Sequence, residues 1–288
     1  MRGLIVKGIG GFYYVKTAEG VYQAKGRGIF KKRGITLSVG DNVDIRILDD
    51  KDAVIESIEP RKNHFIRPPI ANVDCFIVVF AADRPKPNFH VIDRFLITAE
   101  QKGIESVICI NKRDLLPEAD LEKMKEIYSG VYPVFAVSGK TGEGIDELTH
   151  CFAGKRTAFA GPSGVGKSTI TNLIIPEANM ETSGVSRKTD RGRHTTRHVE
   201  IFETKEGGLL FDTPGFTSFD ILDAEEGDLQ DFYPEMAEYK GKCRFDDCRH
   251  VKEPGCAVRE AVFDGRISSV RYASYLANME EIRNRKKF

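Results

Sequence analysis

The segment Gly161-Pro162-Ser163-Gly164-Val165-Gly166-Lys167-Ser168 constrains this chain more than any other, because it admits essentially one local fold. It matches G-x-x-x-x-G-K-[ST], with the β-type run RTAFAG leading in and the helical run STITNLII leading out. Glycines at these spacings let consecutive backbone N–H groups turn inward on an anion, and the following helix adds its positive end. The pattern predicts that residues 161–168, with Thr169 behind them, cradle the phosphates of a nucleotide. Lys167 is then the residue that reaches the β- and γ-phosphates, and the Ser168 hydroxyl is a Mg²⁺ ligand.

The flanking sequence fits the layered α/β fold that such a loop requires. Strand-like runs at 74–80, 105–110, 132–138 and 156–161 alternate with helical stretches such as FHVIDRFLITAEQKG and EADLEKMKEIYSG. That alternation predicts a mostly parallel, doubly wound sheet with ligand loops at the carboxyl ends of its strands. Two more runs, HVEIFET and GGLLFDT, flank Lys205-Glu206 and predict a hairpin. Residues 1–66 have a different texture: five short β-type runs (LIVKGIG, FYYVKT, VYQAKG, VDIRILD, AVIESIE) with no helical period. Five strands in that length predict a small closed barrel, and an OB-fold fits. HFIRPPIAN reads as a linker, and RISSVRYASYLANMEEIRNRKKF as a closing helix. The expected domains are therefore 1–66, 67–218 and 219–288.

Two further loops carry nucleotide chemistry. Asp212-Thr213-Pro214-Gly215 ends an apolar strand, where the Asp212 carboxylate can hold Mg²⁺ and the Gly215 N–H can sense a γ-phosphate. Asn111-Lys112-Arg113-Asp114 follows the buried run ESVICI. Guanine presents two adjacent donors, N1–H and the 2-amino group, and one carboxylate accepts both. Adenine offers an acceptor at N1 and no 2-amino group, so Asp114 selects against it. Asn111 can bond the other edge of the purine, and the Lys112 stem can cover its face. Ser138-Gly139-Lys140 follows the next strand and can support the base through backbone N–H groups.

Charge and cysteine placement narrow the remaining possibilities. The net charge is 0, so the molecule as a whole does not attract polyanions. Residues 1–67, however, hold 13 Lys/Arg and 8 Asp/Glu, a balance of +5 that includes Lys25, Arg27, Lys31, Lys32 and Arg33. Such a strip is either a solvated basic loop or a polyanion-binding patch. The segment Ser186–Arg197 is also basic and could touch RNA phosphates. No apolar run approaches the ~20 residues that span a bilayer, and the N-terminus lacks the pattern of a secretory leader, so a cytoplasmic protein is expected. Nothing in the sequence demands a dimer, and a monomer is expected. Cys243-x4-Cys248-x-His250-x5-Cys256 gathers three thiols and one imidazole. Four such ligands suit tetrahedral Zn²⁺ and leave no open position, which predicts one structural zinc rather than a catalytic one.

Taken together, the motifs GxxxxGKS, DxxG, NKxD and SGK resemble those of the translation-factor class of GTPases. Their order is permuted here, because NKRD and SGK precede GPSGVGKS and DTPG. With the N-terminal β-domain and the C-terminal segment CRFDDCRHVKEPGC, the whole chain resembles the ribosome small-subunit-dependent GTPase family (RsgA, also called YjeQ). The resemblance implies GTP hydrolysis to GDP and phosphate, stimulated by the 30S subunit during its late maturation, with 16S rRNA as a contact. It also implies that His194 of Gly192-Arg193-His194-Thr195-Thr196 is the catalytic residue. That loop should bring a threonine to Mg²⁺, Thr196 in preference to Thr195. The usual water-positioning Gln after DxxG is replaced by Phe216, so intrinsic hydrolysis should be slow. The alternatives are a permuted GTPase of large-subunit assembly and an RNA-binding scaffold that holds GTP as a structural ligand.

Overall fold

The computed structural model describes residues 1–178, 199–216 and 224–285. In chain order the elements begin with β1 (Arg2–Ile9), β2 (Phe12–Lys16), β3 (Val21–Gly26), α1 (Gly28–Lys32), β4 (Asn42–Ile47), β5 (Asp52–Ile58), β6 (His64–Phe65) and β7 (Ile70–Ala71). They continue with β8 (Cys75–Ala81), α2 (Phe89–Gln101), β9 (Glu105–Asn111), α3 (Glu118–Glu126), β10 (Val134–Ala136) and α4 (Ile145–His150). Next come β11 (Arg156–Ala160), α5 (Lys167–Ile174), β12 (Val199–Glu203) and β13 (Leu209–Phe216), and then α6 (Pro234–Ala237), α7 (Ala257–Phe263) and α8 (Ser269–Arg285). Two compact units emerge: residues 1–76, 149–159 and 168–216 form the first, and 77–148, 160–167 and 217–288 the second.

In the first unit, the five predicted N-terminal strands close into a barrel in the order β1-β2-β3-β5-β4, with β4 returning to β1. The pairs are antiparallel except β3 with β5. Alternation places Ile5, Val15, Ala24, Val43, Ile45, Ala53 and Ile55 in its interior, each at most 4% exposed. β12 and β13 pair antiparallel, as the sequence predicts, and β12 also pairs with β1 through Lys7–Glu200 and Gly8–Val199. The Lys7 and Glu200 side chains form an ion pair of 2.6 Å across that seam. Two features depart from the sequence reading. The basic strip contains a one-turn helix, α1, which is too short to show a 3.6-residue period. The segment read as a linker is ordered, pairing β6 with β7.

In the second unit, β9 pairs in parallel with β10, next to β8, and the α2 and α3 crossovers follow the predicted alternation. β8 is buried along its whole length, as a strand covered on both faces requires. The C-terminal helices build a further core around Leu229, Tyr233, Met236, Val258, Ala261, Tyr275 and Met279, and Ile97 of α2 inserts into it.

α2 and α8 are also joined by a buried charge. The Arg271 guanidinium, 1% exposed, donates to Asp93 Oδ1 at 2.5 Å and to both carboxylate oxygens of Glu235 at 2.7 and 3.1 Å. It lies over the ring of Tyr233 at 4.7 Å, and Tyr128 Oη donates to Asp93 at 3.0 Å. Removing one member strands the others away from water. Arg271→Met should therefore lower stability by about 3–5 kcal/mol, measured as a shift in the denaturant midpoint at unchanged slope. A shift within the error of the measurement would show the network to be dispensable.

Candidate functional site

The second unit brings the predicted base and phosphate loops together up to Lys167, and Asn111 is the residue that ties them. Asn111 ends β9 and is 2% exposed. Its Nδ2 donates to Val165 O of the glycine-rich loop at 2.8 Å. Its Oδ1 accepts from the N–H of Lys112 at 2.7 Å and from that of Gly139 at 2.9 Å. One buried amide thus links the 111–114, 138–140 and 161–167 loops. The sequence reading gives Asn111 a contact with the purine edge, and its Nδ2 carries a second N–H beyond the one donated to Val165 O.

The glycines of the loop are required by this packing. A Cβ on Gly166, at φ +98°, would lie 2.3 Å from Asn111 Nδ2, and one on Gly161, at φ +139°, would lie 2.0 Å from Val79 O. Larger residues would push the loop off both neighbours.

Lys112 adopts a left-handed backbone, φ 62°, and its Nζ donates to Arg84 O at 2.5 Å and Gly164 O at 2.9 Å. Its stem therefore spans from the base loop to the phosphate loop. The Asp114 carboxylate is exposed, with Oδ1 accepting from Ser138 Oγ at 2.7 Å. Arg113 turns away to ion pairs with Glu118 and Glu143, both at 3.1 Å, which brace the loop from outside. Lys140, Ser163 and Gly164 are exposed, Pro162 is half-buried, and Val165 is buried as the hydrophobic anchor of its loop. Lys167 Nζ donates to the carbonyls of Gly161 at 2.6 Å and Pro162 at 2.8 Å, and burial lowers its pKa to about 8.

Ser168 and Thr169, both half-buried, follow Lys167 in the first turn of α5 and belong to the first unit. Asp212 and Gly215 lie on β13, also in the first unit. Phe216, at the position where a water-orienting Gln is usual, is 1% exposed and packs against Phe65 and Phe76, each at 5.1 Å between ring centroids. The side chain at this position is thus committed to an aromatic core. His194, Thr195, Thr196 and the basic segment Ser186–Arg197 lie outside the described residues.

The cysteine cluster forms as its spacing predicts. One ligand atom from each of Cys243, Cys248, His250 and Cys256 lies within 4.8 Å of all the others. His250 Nδ1 is 3.6 Å from Cys243 Sγ and 3.3 Å from Cys256 Sγ, and the two sulfurs are 4.0 Å apart. In a tetrahedral Cys₃His shell, bond lengths of roughly 2.3 Å to sulfur and 2.0 Å to nitrogen put neighbouring ligands about 3.5–3.8 Å apart. The donor set and its spacing therefore fit a metal ion. Burial raises the pKa values of the Cys248 and Cys256 thiols and lowers that of His250, and a bound dication reverses the thiol shifts. Glu253 shapes the turn between His250 and Cys256. Although burial opposes its charge, backbone N–H groups, including those of Arg249, Val251 and Lys252, hold its carboxyl down to about 2.

No helix among the described residues is long and apolar enough to cross a membrane.

Comparison with known proteins agrees with this geometry along the whole chain. Residues 58–222 match the RsgA GTPase family and residues 2–55 the RsgA N-terminal domain. A protein named small ribosomal subunit biogenesis GTPase RsgA from Agathobacter rectalis is 46% identical over 302 residues, covering 100% of both chains. One of the same name from Carboxydothermus hydrogenoformans is 46% identical over 285 residues, covering 98% of each. Among solved structures, YjeQ from Thermotoga maritima superposes with a TM-score of 0.84 at 37% identity, covering 98% of each chain. YloQ, described as a circularly permuted GTPase, gives 0.82 at 39% identity over 99% of this chain and 95% of its own. With an N-terminal five-stranded barrel, permuted nucleotide motifs and a Cys₃His cluster in one polypeptide, the chain belongs to the RsgA GTPase family and is a GTP-hydrolysing enzyme.

Proposed function

We propose that this GTPase acts in late maturation of the small ribosomal subunit, binding the 30S particle and its 16S rRNA and hydrolysing GTP faster when bound. The observation that carries this reading is a relative 46% identical end to end that bears the name small ribosomal subunit biogenesis GTPase. The barrel, residues 1–66, is assigned to RNA through its basic strip, residues 67–218 to GTP, and 219–288 to a structural zinc site. The enzyme works in the cytoplasm as a monomer.

In this reading Asp114 recognises guanine, Ser138, Gly139 and Lys140 support the base, and residues 161–169 hold the phosphates. Ser168, Asp212 and Thr196, in preference to Thr195, hold Mg²⁺, which would neutralise phosphate charge. Gly215 senses the γ-phosphate and His194 supplies the catalytic group that Phe216 cannot. Cys243, Cys248, His250 and Cys256 hold Zn²⁺, whose donor chemistry they match.

Binding to the subunit is tested by sedimenting the protein with isolated 30S or 50S particles in a non-hydrolysable GTP analogue or in GDP. Co-sedimentation with 30S, stronger with the analogue, is expected. Equal recovery with 50S, or none with either, would overturn the assignment.

Lys167 gives a pH dependence with a definite sign. Before nucleotide binds, its pKa is lowered to about 8, and phosphate oxygens then raise it. GTP affinity should be level below pH 8 and fall as pH rises above it, with proton uptake on binding. Calorimetry between pH 7.5 and 9, in two buffers of different ionisation enthalpy, should show that uptake, and Lys167→Arg should abolish it. Affinity and proton count flat over this range would contradict the assignment of Lys167 to the phosphates.

A further inference from the structure

We propose that Gln230 is the positioning residue of the metal centre, fixing His250 to coordinate through Nδ1. The inference rests on the zinc reading of the cluster given above. Nδ1 is the ring nitrogen that faces the thiols, at 3.3 Å from Cys256 Sγ and 3.6 Å from Cys243 Sγ. The opposite nitrogen, Nε2, lies 2.6 Å from Gln230 Oε1. A nitrogen that gives its lone pair to a cation carries no proton, so the neutral ring keeps its proton on Nε2. Nε2 then donates to the Gln230 amide oxygen. The amide is oriented for this, because its own Nε2 donates to Gly227 O at 3.3 Å.

The bond does more than satisfy a polar ring. A hydrogen bond from the distal nitrogen of a metal-bound histidine fixes its tautomer and ring angle and raises its basicity. His250 needs such support, since it is buried and its backbone sits at φ 57°, a conformation that costs energy in a residue with a side chain. The backbone is held by α8: Tyr272 Oη donates to His250 O at 2.7 Å and Tyr275 Oη to Arg249 O at 2.8 Å. Gln230 is the ring's counterpart to these tyrosines. It lies in the 3-10 turn Leu229–Phe232, between two wholly buried side chains, Leu229 and Tyr233. That turn sits in the chain between the strand ending in Asp212–Phe216 and the cysteines. The metal thereby grips a segment that contributes none of its ligands.

The test uses the full-length protein loaded with Zn²⁺, and compares the parent with Gln230→Leu and Gln230→Glu. Zinc affinity is read by competition with a chromogenic chelator, and the ring state by the ¹⁵N shifts of His250. Leu removes the acceptor at similar volume and should weaken zinc binding about 10- to 100-fold. Glu keeps an acceptor and should bind at least as tightly as the parent, which separates the hydrogen bond from any general loss of folding. The parent's ¹⁵N shifts should show a protonated Nε2 and a coordinated Nδ1. Equal affinity in all three proteins, equal loss in Leu and Glu, or coordination through Nε2 would each overturn the proposal. A parent that retains no zinc after dialysis would overturn the zinc reading itself, and this inference with it.

Discussion

Cys248→Ala should release the metal and unfold the knuckle together with the core that it closes. Between the end of β13 and α8 the described chain holds only short regular elements: a 3-10 turn, the four-residue α6 and the seven-residue α7. Cys248 and Cys256 are 4% and 3% exposed and are members of the hydrophobic cluster that includes Tyr233, Met236, Tyr275 and Met279. A segment with so little helix closes little of its core by backbone hydrogen bonding, and under the zinc assignment proposed above metal–thiolate bonds supply the cross-link. Structural zinc sites convert on the order of 10 kcal/mol of binding into folding free energy. That is large beside the roughly 3–5 kcal/mol of net stability that one small hydrophobic core supplies. The variant should lose a calorimetric transition, and limited proteolysis should cut within 224–268. A chelator should reproduce both effects in the parent. An unchanged melting profile with chelator present would mean that the cluster closes without metal.

Asp114→Asn should exchange guanine specificity for xanthine specificity. The carboxylate is exposed and held by Ser138 Oγ at 2.7 Å, so it can accept from both guanine donors. An amide accepts one of them and confronts the 2-amino group with another donor. Hydrogen bonds to a charged acceptor contribute roughly 1.5–3 kcal/mol each. GTP affinity should therefore fall about 10²- to 10⁴-fold. Xanthine carries an oxygen where guanine carries the amino group, and the Asn N–H can donate to it. XTP binding should rise correspondingly, measured by displacement of a fluorescent nucleotide. Unchanged GTP affinity would remove Asp114 from the base site.

The parts of the fold that rest on local pattern were readable from the chain itself. Short β-type runs without a helical period announced the five barrel strands, and Gly, Lys and Ser spacing announced the phosphate loop. The four metal-type ligands fall within fourteen residues of one another. What escaped were features made by contacts distant in sequence. Asn111 reads as one of four nucleotide-loop residues, and only the fold shows its amide spanning three loops. Arg271 falls in the segment read only as a closing helix, and the fold buries it among Asp93, Glu235 and three tyrosines. Gln230 stands twenty residues from His250, with no spacing rule to connect them. Phe216 was legible as a missing glutamine, but its aromatic partners Phe65 and Phe76 come from the ordered segment that read as a linker and from β8. α1 escaped because five residues carry no period.

The most direct test of the functional account is GTP turnover by the purified protein alone, with 30S subunits and with 50S subunits, in parallel with His194→Ala. The account predicts slow turnover alone, a strong rise with 30S only, and loss of that rise in the variant. No rise with 30S, or a greater one with 50S, would contradict it.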